Sequence, residues 1–450
     1  MIRDDILKLL STLDQQHLSE GLDTLSEAEM KAFYHQLEAY GKDTLTKQRQ
    51  CLIQKNSGSL TGAIPPSYKD VSYKAESLGI KAIREGKAAC LVLAGGQGSR
   101  LGVNGPKGKV KVSPIKHKSL FEIICEKTLI LSRQYAKPLQ IAFLASVNNY
   151  EETCNFFTDK KWFGLEESQV TILSQDSLPF ITEEGNWSLQ EPGRLAEGPD
   201  GNGKALYHLY KEGLWDVWQN FGIEYVNVLQ IDNPLADPFD ADLIGLHEES
   251  SYDVTMKVVK RESAEENVGI VASFSGSIKI VEYSDLSLEE RNARDEGGGL
   301  LLPFANIGLM AFSMKFIKDQ MKQMNEMPWH LASKNTQIFE SGGYHTKKIG
   351  KFECFIFDVL NFTDKVCIVK AEREDCYAPL KNIAGDKSLL TVQHSLFQKY
   401  RKIYCNLSGL KAPDRPFELD CSFFYPTEKM KEEWKNRPLP ENEYIRAENL

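Results

Sequence analysis

The sequence predicts an α/β fold with a doubly wound, mainly parallel sheet, a helical N-terminal segment and a small C-terminal subdomain. Between residues 88 and 369, short apolar runs that suit buried strands alternate with segments of helical period, which is the pattern of repeated β-α-β units. The clearest strand is Ala88–Leu93. Its apolar character is almost unbroken, and it leads straight into Gly95, Gly96 and Gly98.

The N-terminal segment, residues 1–85, is predicted to be helical. Ser26 and Glu29 form the S-x-x-E pattern of a capping box, which opens a helix toward Tyr40. A further helix at residues 73–85 ends before a glycine. We expect this segment to be a structural cap on the sheet.

The remaining elements follow in order along the chain. Ser119 and Glu122 form a second capping box, and the helix that they open is predicted to run to about residue 135. Further strands are predicted at residues 140–146, 170–173, 224–231, 253–259, 268–273, 278–282 and 307–312. Further helices are predicted at residues 150–160, 204–218 and 388–402, and short segments at residues 420–425.

Length and charge set the outer bounds of the function. A chain of 450 residues is too long for one core, so we divide it into a helical segment at 1–85, an α/β domain at 86–380 and a C-terminal subdomain at 381–450. The net charge of −9 argues against a nucleic-acid or membrane partner, since either would need a basic face. Any basic site must be local.

Cysteine usage and the N-terminal residues indicate the compartment. The nine cysteines are scattered singly, without C-x-x-C or zinc spacing, so we expect reduced thiols. The first residues lack the apolar region of a signal peptide, and no apolar stretch approaches the roughly 18 residues of a membrane span. We therefore expect a cytoplasmic protein.

The strongest chemical signal is the stretch L-V-L-A-G-G-Q-G-S-R-L-G-V-N-G-P-K-G-K-V-K at residues 91–111. The strand delivers its glycine loop, residues 94–111, to the edge of the sheet where ligands of open α/β folds bind. Glycines let backbone N–H groups close on a phosphate, and Arg100 and Lys107 add mobile positive charge. The candidate nucleotide-binding positions are Leu93, Ala94, Gly95, Gly96 and Gly98.

Two familiar phosphate-binding loops do not match this stretch. The spacing G-G-x-G-x-x-x-G differs from the dinucleotide pattern G-x-G-x-x-G, and no Walker G-x-x-x-x-G-K-[ST] occurs. For the glycines alone, a tight surface turn is the alternative interpretation. Arg100, Pro106 and Lys107 at their set distances favour a polyphosphate cradle.

A second strand end carries a candidate metal ligand. The apolar run at residues 224–231 ends in Asp232 and Asn233. A carboxylate at the mouth of a central strand suits Mg²⁺ that bridges two phosphates, since this cation selects oxygen ligands and usually keeps some waters. The alternative is an Asp-Asn-Pro turn that only ends the strand.

Together these segments resemble the UDP-N-acetylhexosamine pyrophosphorylases, uridylyltransferases that join UTP to a sugar 1-phosphate. The first motif reads L-A-G-G-Q-G-S-R-L-G, with Ser99 at the usual Thr, and Gln97 separates it from UDP-glucose pyrophosphorylases. Further motifs match in order, among them P-D-G-N-G at residues 199–203 and R-E-D-C-Y-A-P-L-K-N at residues 373–382. The resemblance implies a nucleotidyltransferase fold of the GT-A or Rossmann-like type.

The resemblance also implies residues that contact the uridine and the sugar. Gln175 would read uracil, because a carboxamide offers the donor and acceptor that the imide edge requires. Gly201 would lie near the uridine and Asn202 on the sugar. Lys204 departs from the usual glycine and would place extra charge beside the sugar pocket.

The resemblance also implies that three further segments recognise the hexose. Gly269 would allow close backbone approach, Glu282 would accept sugar hydroxyls, and Asn306 would reach the sugar. Phe355 and Phe357 would wall the N-acetyl pocket, although two such aromatics alone would be read as core.

The implied reaction forms UDP-N-acetylglucosamine and pyrophosphate from UTP and N-acetylglucosamine 1-phosphate by in-line attack on the α-phosphate. Arg100, Lys107 and Lys381 would hold the phosphates together with Mg²⁺ on Asp232, and Mn²⁺ could replace Mg²⁺. A glucose 1-phosphate uridylyltransferase or a broad-specificity UDP-sugar pyrophosphorylase is the alternative substrate assignment. A non-catalytic nucleotide-sugar-binding protein is the alternative of another class, and the oligomeric state stays open.

Overall fold

The computed structural model describes residues 2–53, 60–250 and 252–447. The chain divides into two compact units. The first unit comprises Met1–Ser57, Gln175–Lys204 and Glu326–Asp358, and the second comprises Gly58–Ser174, Ala205–Asn325 and Val359–Leu450. The domain boundaries predicted from the sequence, after residues 85 and 380, stay a prediction.

The helices and strands are numbered in chain order. The strands are β1 (Ala88–Leu93), β2 (Gln140–Ala145), β3 (Val170–Ser174), β4 (Ser177–Pro179), β5 (Leu189–Glu191), β6 (Arg194–Leu195), β7 (Glu197–Pro199), β8 (Tyr225–Gln230), β9 (Val254–Lys260), β10 (Ile270–Phe274), β11 (Ser277–Val281), β12 (Phe304–Ser313), β13 (His330–Glu340), β14 (Gly343–Glu353), β15 (Val366–Lys370), β16 (Glu418–Leu419) and β17 (Tyr444–Ile445). The α-helices are α1 (Ile2–Leu13), α2 (Glu27–Ile53), α3 (Tyr73–Arg84), α4 (Leu120–Tyr135), α5 (Val147–Asp159), α6 (Ala205–Lys211), α7 (Leu214–Asn220), α8 (Ala241–Ser250), α9 (Leu288–Arg291), α10 (Met314–Asp319), α11 (Met321–Asn325), α12 (Arg373–Cys376), α13 (Leu389–Ser408) and α14 (Glu428–Trp434). Short 3₁₀ segments include Ser99–Leu101, Lys107–Lys109, Ile356–Phe362 and Cys421–Phe424.

Both predicted capping boxes are confirmed. The Ser26 N–H donates to Glu29 Oε2 at 2.7 Å, and the Glu29 N–H donates to Ser26 Oγ at 3.3 Å. The Glu122 N–H likewise donates to Ser119 Oγ at 3.2 Å at the start of α4. These side chains satisfy backbone donors that the first helical turn leaves unpaired. α2 continues past an interruption at Gly41, where φ is 63°.

The second unit is built on a nine-stranded mixed sheet. Strands β3, β2, β1 and β8 lie side by side and run parallel, so their carboxyl ends meet at one edge. β12 runs antiparallel between β8 and β9, and β15 pairs in parallel with β9. The predicted α/β class is confirmed. The antiparallel β12 is an exception that the repeated β-α-β pattern did not predict.

The main core of the second unit lies between the sheet and the helices that cover it. Phe121 of α4 packs edge to face on Phe143 and Phe157, with ring centroids 5.4 and 5.0 Å apart. Leu396 and Tyr404 of α13 belong to the same buried cluster. The C-terminal segment therefore contributes side chains to the core around β1.

The first unit combines α1 and α2 with a four-stranded sheet in the order β14-β13-β5-β6, so a helical N-terminal segment is confirmed. The indole of Trp187 is fully buried and donates to Gln48 Oε1 at 2.7 Å. β13 and β14 form a hairpin that the sequence analysis did not predict. Its turn residues, Ser341 and Gly342, both have positive φ, as the tight turns of two-residue hairpins require.

The single helix predicted at residues 204–218 is wrong. The chain forms α6 and α7 instead, because Gly213 between them takes a left-handed φ of 74°, which ends the first helix. All nine cysteines are free thiols, as predicted. No helix in the described ranges is long and apolar enough to cross a membrane.

Candidate active site

The glycine loop begins after Leu93, the last residue of β1, and its own backbone holds it in shape. The Gly98 N–H donates to the Gly105 carbonyl at 2.9 Å, and the Lys107 N–H donates to the Gly96 carbonyl at 3.0 Å. A Cβ at Gly98 would lie 2.9 Å from a backbone carbonyl oxygen. The loop therefore folds into a compact turn that only glycine allows at this position.

Three consecutive backbone donors of this loop are free. The N–H groups of Gly95, Gly96 and Gln97 donate to no acceptor in the part of the chain that the structure describes. The preceding residue is tied to the sheet, since the Ala94 N–H donates to the Leu144 carbonyl at 2.8 Å. Consecutive free amides beside a fixed strand end are suited to bind an anion.

Lys107 and Asp232 come together at the carboxyl edge of the sheet. Lys107 Nζ lies 3.3 Å from Asp232 Oδ2, and the two side chains are 17% and 9% exposed. Asp232 follows β8, which pairs with β1, so adjacent parallel strands deliver both partners. Arg100 is exposed and forms no ion pair with any described residue, which leaves its guanidinium available to a ligand.

The segment that carries Lys381 is tied directly to the end of β8. The Leu380 N–H donates to the Asp232 carbonyl at 2.8 Å. The buried Asn233 side chain donates to the Cys376 carbonyl at 2.7 Å and accepts from the Ala378 N–H at 3.0 Å. These bonds set the backbone of Lys381 beside Asp232.

The predicted sugar-side residues of the second unit also lie together. A Cβ at Gly269 would lie 3.1 Å from Glu282 Oε1 and 3.7 Å from Asn306 Cβ. The Asn306 N–H donates to the Gly269 carbonyl at 2.8 Å, and Asn306 Oδ1 accepts from the Gly308 N–H at 3.0 Å. A carboxylate and an amide therefore meet beside a buried glycine, and such groups are what recognition of hydroxyl groups requires.

The predicted sugar-side residues of the first unit form a group of their own. Asn202 Oδ1 accepts from the Ile356 N–H at 3.0 Å. The rings of Phe355 and Phe357 are stacked with centroids 5.1 Å apart, and the His330 ring lies 4.9 Å from Phe355. These contacts join the Asn202 turn to the two aromatics.

The turn at residues 199–204 carries a buried ion pair. Lys204 Nζ lies 3.3 Å from Asp200 Oδ2, and the Asp200 side chain is 1% exposed. Burial raises the pKa of Asp200 to about 6, while Lys204 opposes this shift. Gly201, which has a φ of 88°, lies against Cys354, where a Cβ would meet its carbonyl oxygen at 2.3 Å. Lys204 is thus neutralised by a neighbour in its own turn.

Gln175 is buried and directly follows β3. It belongs to the first unit together with Gly201, Asn202, Phe355 and Phe357. The second unit holds Arg100, Lys107, Asp232, Gly269, Glu282, Asn306, Lys381 and the glycine loop. Within the second unit, Lys107 and Asp232 form one group, and Gly269, Glu282 and Asn306 form another. Within the first unit, Asn202 contacts the segment of Phe355 and Phe357.

A family model described as UTP–glucose-1-phosphate uridylyltransferase matches residues 30–438. The chain belongs to this uridylyltransferase family. The family and the enzyme class predicted from the ordered motifs are thereby confirmed.

Named relatives agree with this assignment. The chain is 31% identical over 400 residues to the UDP-N-acetylglucosamine pyrophosphorylase of Saccharomyces cerevisiae. The matched segment covers 84% of this chain and 83% of the relative. It is 30% identical to the UDP-N-acetylhexosamine pyrophosphorylase-like protein 1 of Xenopus tropicalis over 87% of this chain and 80% of that protein. A crystal structure of the Trypanosoma brucei uridine diphosphate N-acetylglucosamine pyrophosphorylase matches with a TM-score of 0.77 and 27% identity, over 90% of this chain and 86% of that one.

A uridylyltransferase acts on a nucleoside triphosphate, and Mg²⁺ commonly binds together with substrate phosphates. We therefore asked whether the site could bind a divalent cation. In the described ranges no group of three or more His, Cys, Asp and Glu side chains could hold a metal ion. Mg²⁺ does not need such a cage, since it is often held by one or two carboxylates plus substrate phosphates and water. Asp232 fits that role, because its carboxylate lies at the strand edge near the free loop amides and Lys107.

Several residues that organise the site were missed by the sequence analysis. Asn149 donates to two carbonyls of the glycine loop, Asn233 holds the segment before Lys381, and His330 bonds to Asp358 at 2.7 Å. For Asn233 the available signal was its place beside Asp232 at a strand end. The other two lie on elements that no motif singled out.

Proposed function

We propose that this uridylyltransferase uses UTP and N-acetylglucosamine 1-phosphate and forms UDP-N-acetylglucosamine and pyrophosphate. The observation that carries the proposal is the 3.3 Å approach of Lys107 Nζ to Asp232 Oδ2 beside three free loop amides. A cation, a carboxylate and unpaired donors at one strand edge suit a metal-bound triphosphate. The names of the relatives support the choice of sugar.

The reaction needs alignment and charge neutralisation more than proton transfer. An oxygen of the sugar 1-phosphate is already anionic and serves as the nucleophile toward the α-phosphorus of UTP. A new oxygen–phosphorus bond forms, the bond between the α-phosphorus and the bridging oxygen to the β-phosphate breaks, and pyrophosphate leaves with the electron pair. The barrier is mostly repulsion between two polyanions, so fixed positive groups lower it.

Each basic side chain has a proposed part in that neutralisation. Lys107 and the glycine-loop amides bind the triphosphate, Arg100 closes on it from the exposed side, and Lys381 approaches from the segment tied to Asp232. Asp232 would hold Mg²⁺, for which Mn²⁺ could substitute, and the cation would supply further positive charge to the triphosphate. The substrate itself would complete the metal's ligands.

Recognition of the organic groups is proposed by resemblance and supported by local geometry. Gln175 is assigned to uracil and Gly201 to the uridine. Asn202, Gly269, Glu282 and Asn306 are assigned to the sugar, and Phe355 and Phe357 to its N-acetyl group. The stacking of the two aromatics at 5.1 Å supports a flat apolar wall. A cytoplasmic location, without nucleic-acid or membrane partners, is part of the same proposal.

Lys204 is the reason for an alternative sugar 1-phosphate substrate. Lys204 departs from the glycine that the resemblance implies at this position, so glucose 1-phosphate or several hexose phosphates are the alternative acceptors. The pairing of Lys204 with Asp200 at 3.3 Å favours the N-acetyl assignment, because the ammonium is already neutralised.

The fate of the α-phosphate tests the proposal. We expect UTP labelled at the α-phosphate and incubated with N-acetylglucosamine 1-phosphate and Mg²⁺ to yield labelled UDP-N-acetylglucosamine and unlabelled pyrophosphate. The matched control is CTP, whose amino group does not fit a reader of the uracil imide. Binding of UDP-sugar without any label transfer would instead indicate a non-catalytic binding protein.

A further inference from the structure

We propose that Asn149 is a positioning residue for the phosphate-binding part of the glycine loop. Its side-chain amide turns two peptide groups so that their N–H groups face the triphosphate. The inference rests on the proposed function, because it takes the glycine loop as the place where UTP phosphates bind. Asn149 lies on α5, outside every motif that carried the resemblance.

The geometry at Asn149 fits two hydrogen bonds from one amide. Asn149 Nδ2 lies 3.2 Å from the Gly95 carbonyl oxygen and 3.3 Å from the Gly96 carbonyl oxygen. Both acceptors are carbonyls, so the nitrogen must be the atom that points at the loop, and its two hydrogens serve one carbonyl each. The side chain is 1% exposed, so water cannot readily replace it.

The consequence follows from peptide geometry. In a trans peptide the C=O and N–H point in opposite directions. When Asn149 draws the carbonyls of Gly95 and Gly96 toward α5, the N–H groups of Gly96 and Gln97 are turned away from α5. Neither of these two N–H groups has an acceptor among the described residues. Asn149 shares the Gly96 carbonyl with the Lys107 N–H, which donates to it at 3.0 Å, and it bonds to the Gly95 carbonyl as well. This buried side chain thus helps to present a pair of free donors.

The same face of α5 fixes the far end of the loop. Glu152, one helical turn after Asn149, pairs with Lys109 at 2.6 Å. A Cβ at Gly105 would lie 2.4 Å from Glu152 Oε1, so the loop backbone packs closely on this carboxylate. α5 therefore holds the loop at two points. Of these two contacts, that of Asn149 is the one to the peptide groups that carry the free amides.

A purely structural role for Asn149 makes a different prediction. A buried asparagine that only satisfies two carbonyls would, when replaced, lower stability and weaken every ligand alike. A positioning residue would affect the phosphates of UTP and leave the uridine moiety unaffected. The comparison of UTP with uridine separates the two roles.

The test titrates UTP and uridine against the full chain and three variants by calorimetry. Asn149→Asp removes the donor with nearly the same shape, and Asn149→Ala removes it without adding charge. Asn148→Asp is the matched control, since Asn148 is exposed on the same helix and gains the same charge. For both Asn149 variants we expect the Kd for UTP to rise about tenfold or more, as for loss of charge-assisted hydrogen bonds, with the Kd for uridine unchanged.

Hydrogen–deuterium exchange on the unaltered chain gives a readout that does not depend on variants folding. UTP should slow exchange at Gly96 and Gln97, and uridine should not. The inference is overturned if UTP gives no such protection, or if folded Asn149 variants bind UTP like Asn148→Asp. A parent chain that binds no UTP would instead overturn the proposed function itself.

Discussion

Lys107 Nζ lies 3.3 Å from Asp232 Oδ2, so a cation of the glycine loop and the carboxylate that follows β8 share one electrostatic environment. Both side chains are largely buried, where interactions between charges are stronger than at the surface. The ion pair joins two residues that lie 125 residues apart in the sequence. A polyphosphate that reaches this edge would meet a cation whose position is already fixed.

The first prediction concerns this cation. Lys107→Ala should lower kcat by about a hundredfold or more while the fold stays intact, because a transition-state charge contact contributes several kcal/mol. The measurement is steady-state release of pyrophosphate together with the melting temperature. Lys111→Ala is the matched control, since Lys111 is an exposed lysine of the same loop. Near-normal turnover in a folded Lys107→Ala protein would remove this residue from the mechanism.

The second prediction concerns the metal. Asp232→Asn should abolish Mg²⁺-dependent activity, because a neutral amide is a much weaker ligand for a hard cation. In the parent, Mn²⁺ should partly replace Mg²⁺. Asp216→Asn, an exposed carboxylate of the same unit, should change neither property. Full parent activity in excess chelator would show that the metal assignment is wrong.

The third prediction uses two glycines of one loop that differ in their surroundings. A Cβ at Gly96 would find its nearest atom at 3.7 Å, whereas a Cβ at Gly108 would lie 2.2 Å from the ring of Phe121. Gly96→Ala should therefore keep its stability but lose about tenfold or more in kcat/KM, since the methyl group lies where a phosphate approaches the loop. Gly108→Ala should lower the free energy of unfolding by about 1–3 kcal/mol. Normal kcat/KM for Gly96→Ala would argue against phosphate binding at the loop.

The fourth prediction follows from the Asp200–Lys204 pair. The pKa of Asp200 is raised from 3.8 to about 6 in the folded chain, so the folded state holds this proton more tightly than the unfolded state. Through this group, stability falls as the pH rises from about 4 to about 6. Lys204 opposes the shift, so Lys204→Met should raise the pKa of Asp200 further and cost most stability above pH 6.

Urea unfolding at pH 5 and pH 8 measures that difference. We expect the destabilisation by Lys204→Met to grow between these pH values by about 1.4 kcal/mol for each additional unit of pKa shift. Lys42→Met, at an exposed lysine of the same unit, should show no such growth. Equal destabilisation at both pH values would mean that Lys204 does not stabilise the ionised form of Asp200.

Local patterns made much of the fold predictable. The strand Ala88–Leu93 was predicted correctly because six buried apolar residues in a row leave few alternatives. The capping boxes at Ser26 and Ser119 were predictable because both partners lie within one helical turn. Asp232 could be placed at a strand end for the same reason, since the apolar run before it marks the strand.

Contacts between distant segments were not predictable in this way. The bond from Asn233 to the Cys376 carbonyl joins residues 143 apart in the sequence, and that from Asn149 to Gly95 joins residues 54 apart. The spacing of apolar residues along the chain predicts helices and strands, but it does not predict which distant residues come into contact. The antiparallel direction of β12 was missed because strand direction depends on how the chain returns to the sheet, and an apolar run does not encode it.

The acceptor is the central claim, and a comparison of kcat/KM tests it most directly. With UTP and fixed Mg²⁺, we expect N-acetylglucosamine 1-phosphate to be preferred over N-acetylgalactosamine 1-phosphate and glucose 1-phosphate. A pocket walled by Phe355 and Phe357 should lose roughly 1–3 kcal/mol, or about ten- to two-hundredfold in kcat/KM, on glucose 1-phosphate, which leaves that wall unfilled. A higher kcat/KM for glucose 1-phosphate would contradict the sugar assignment, leave the nucleotide assignment standing, and make Lys204→Gly the next variant to measure.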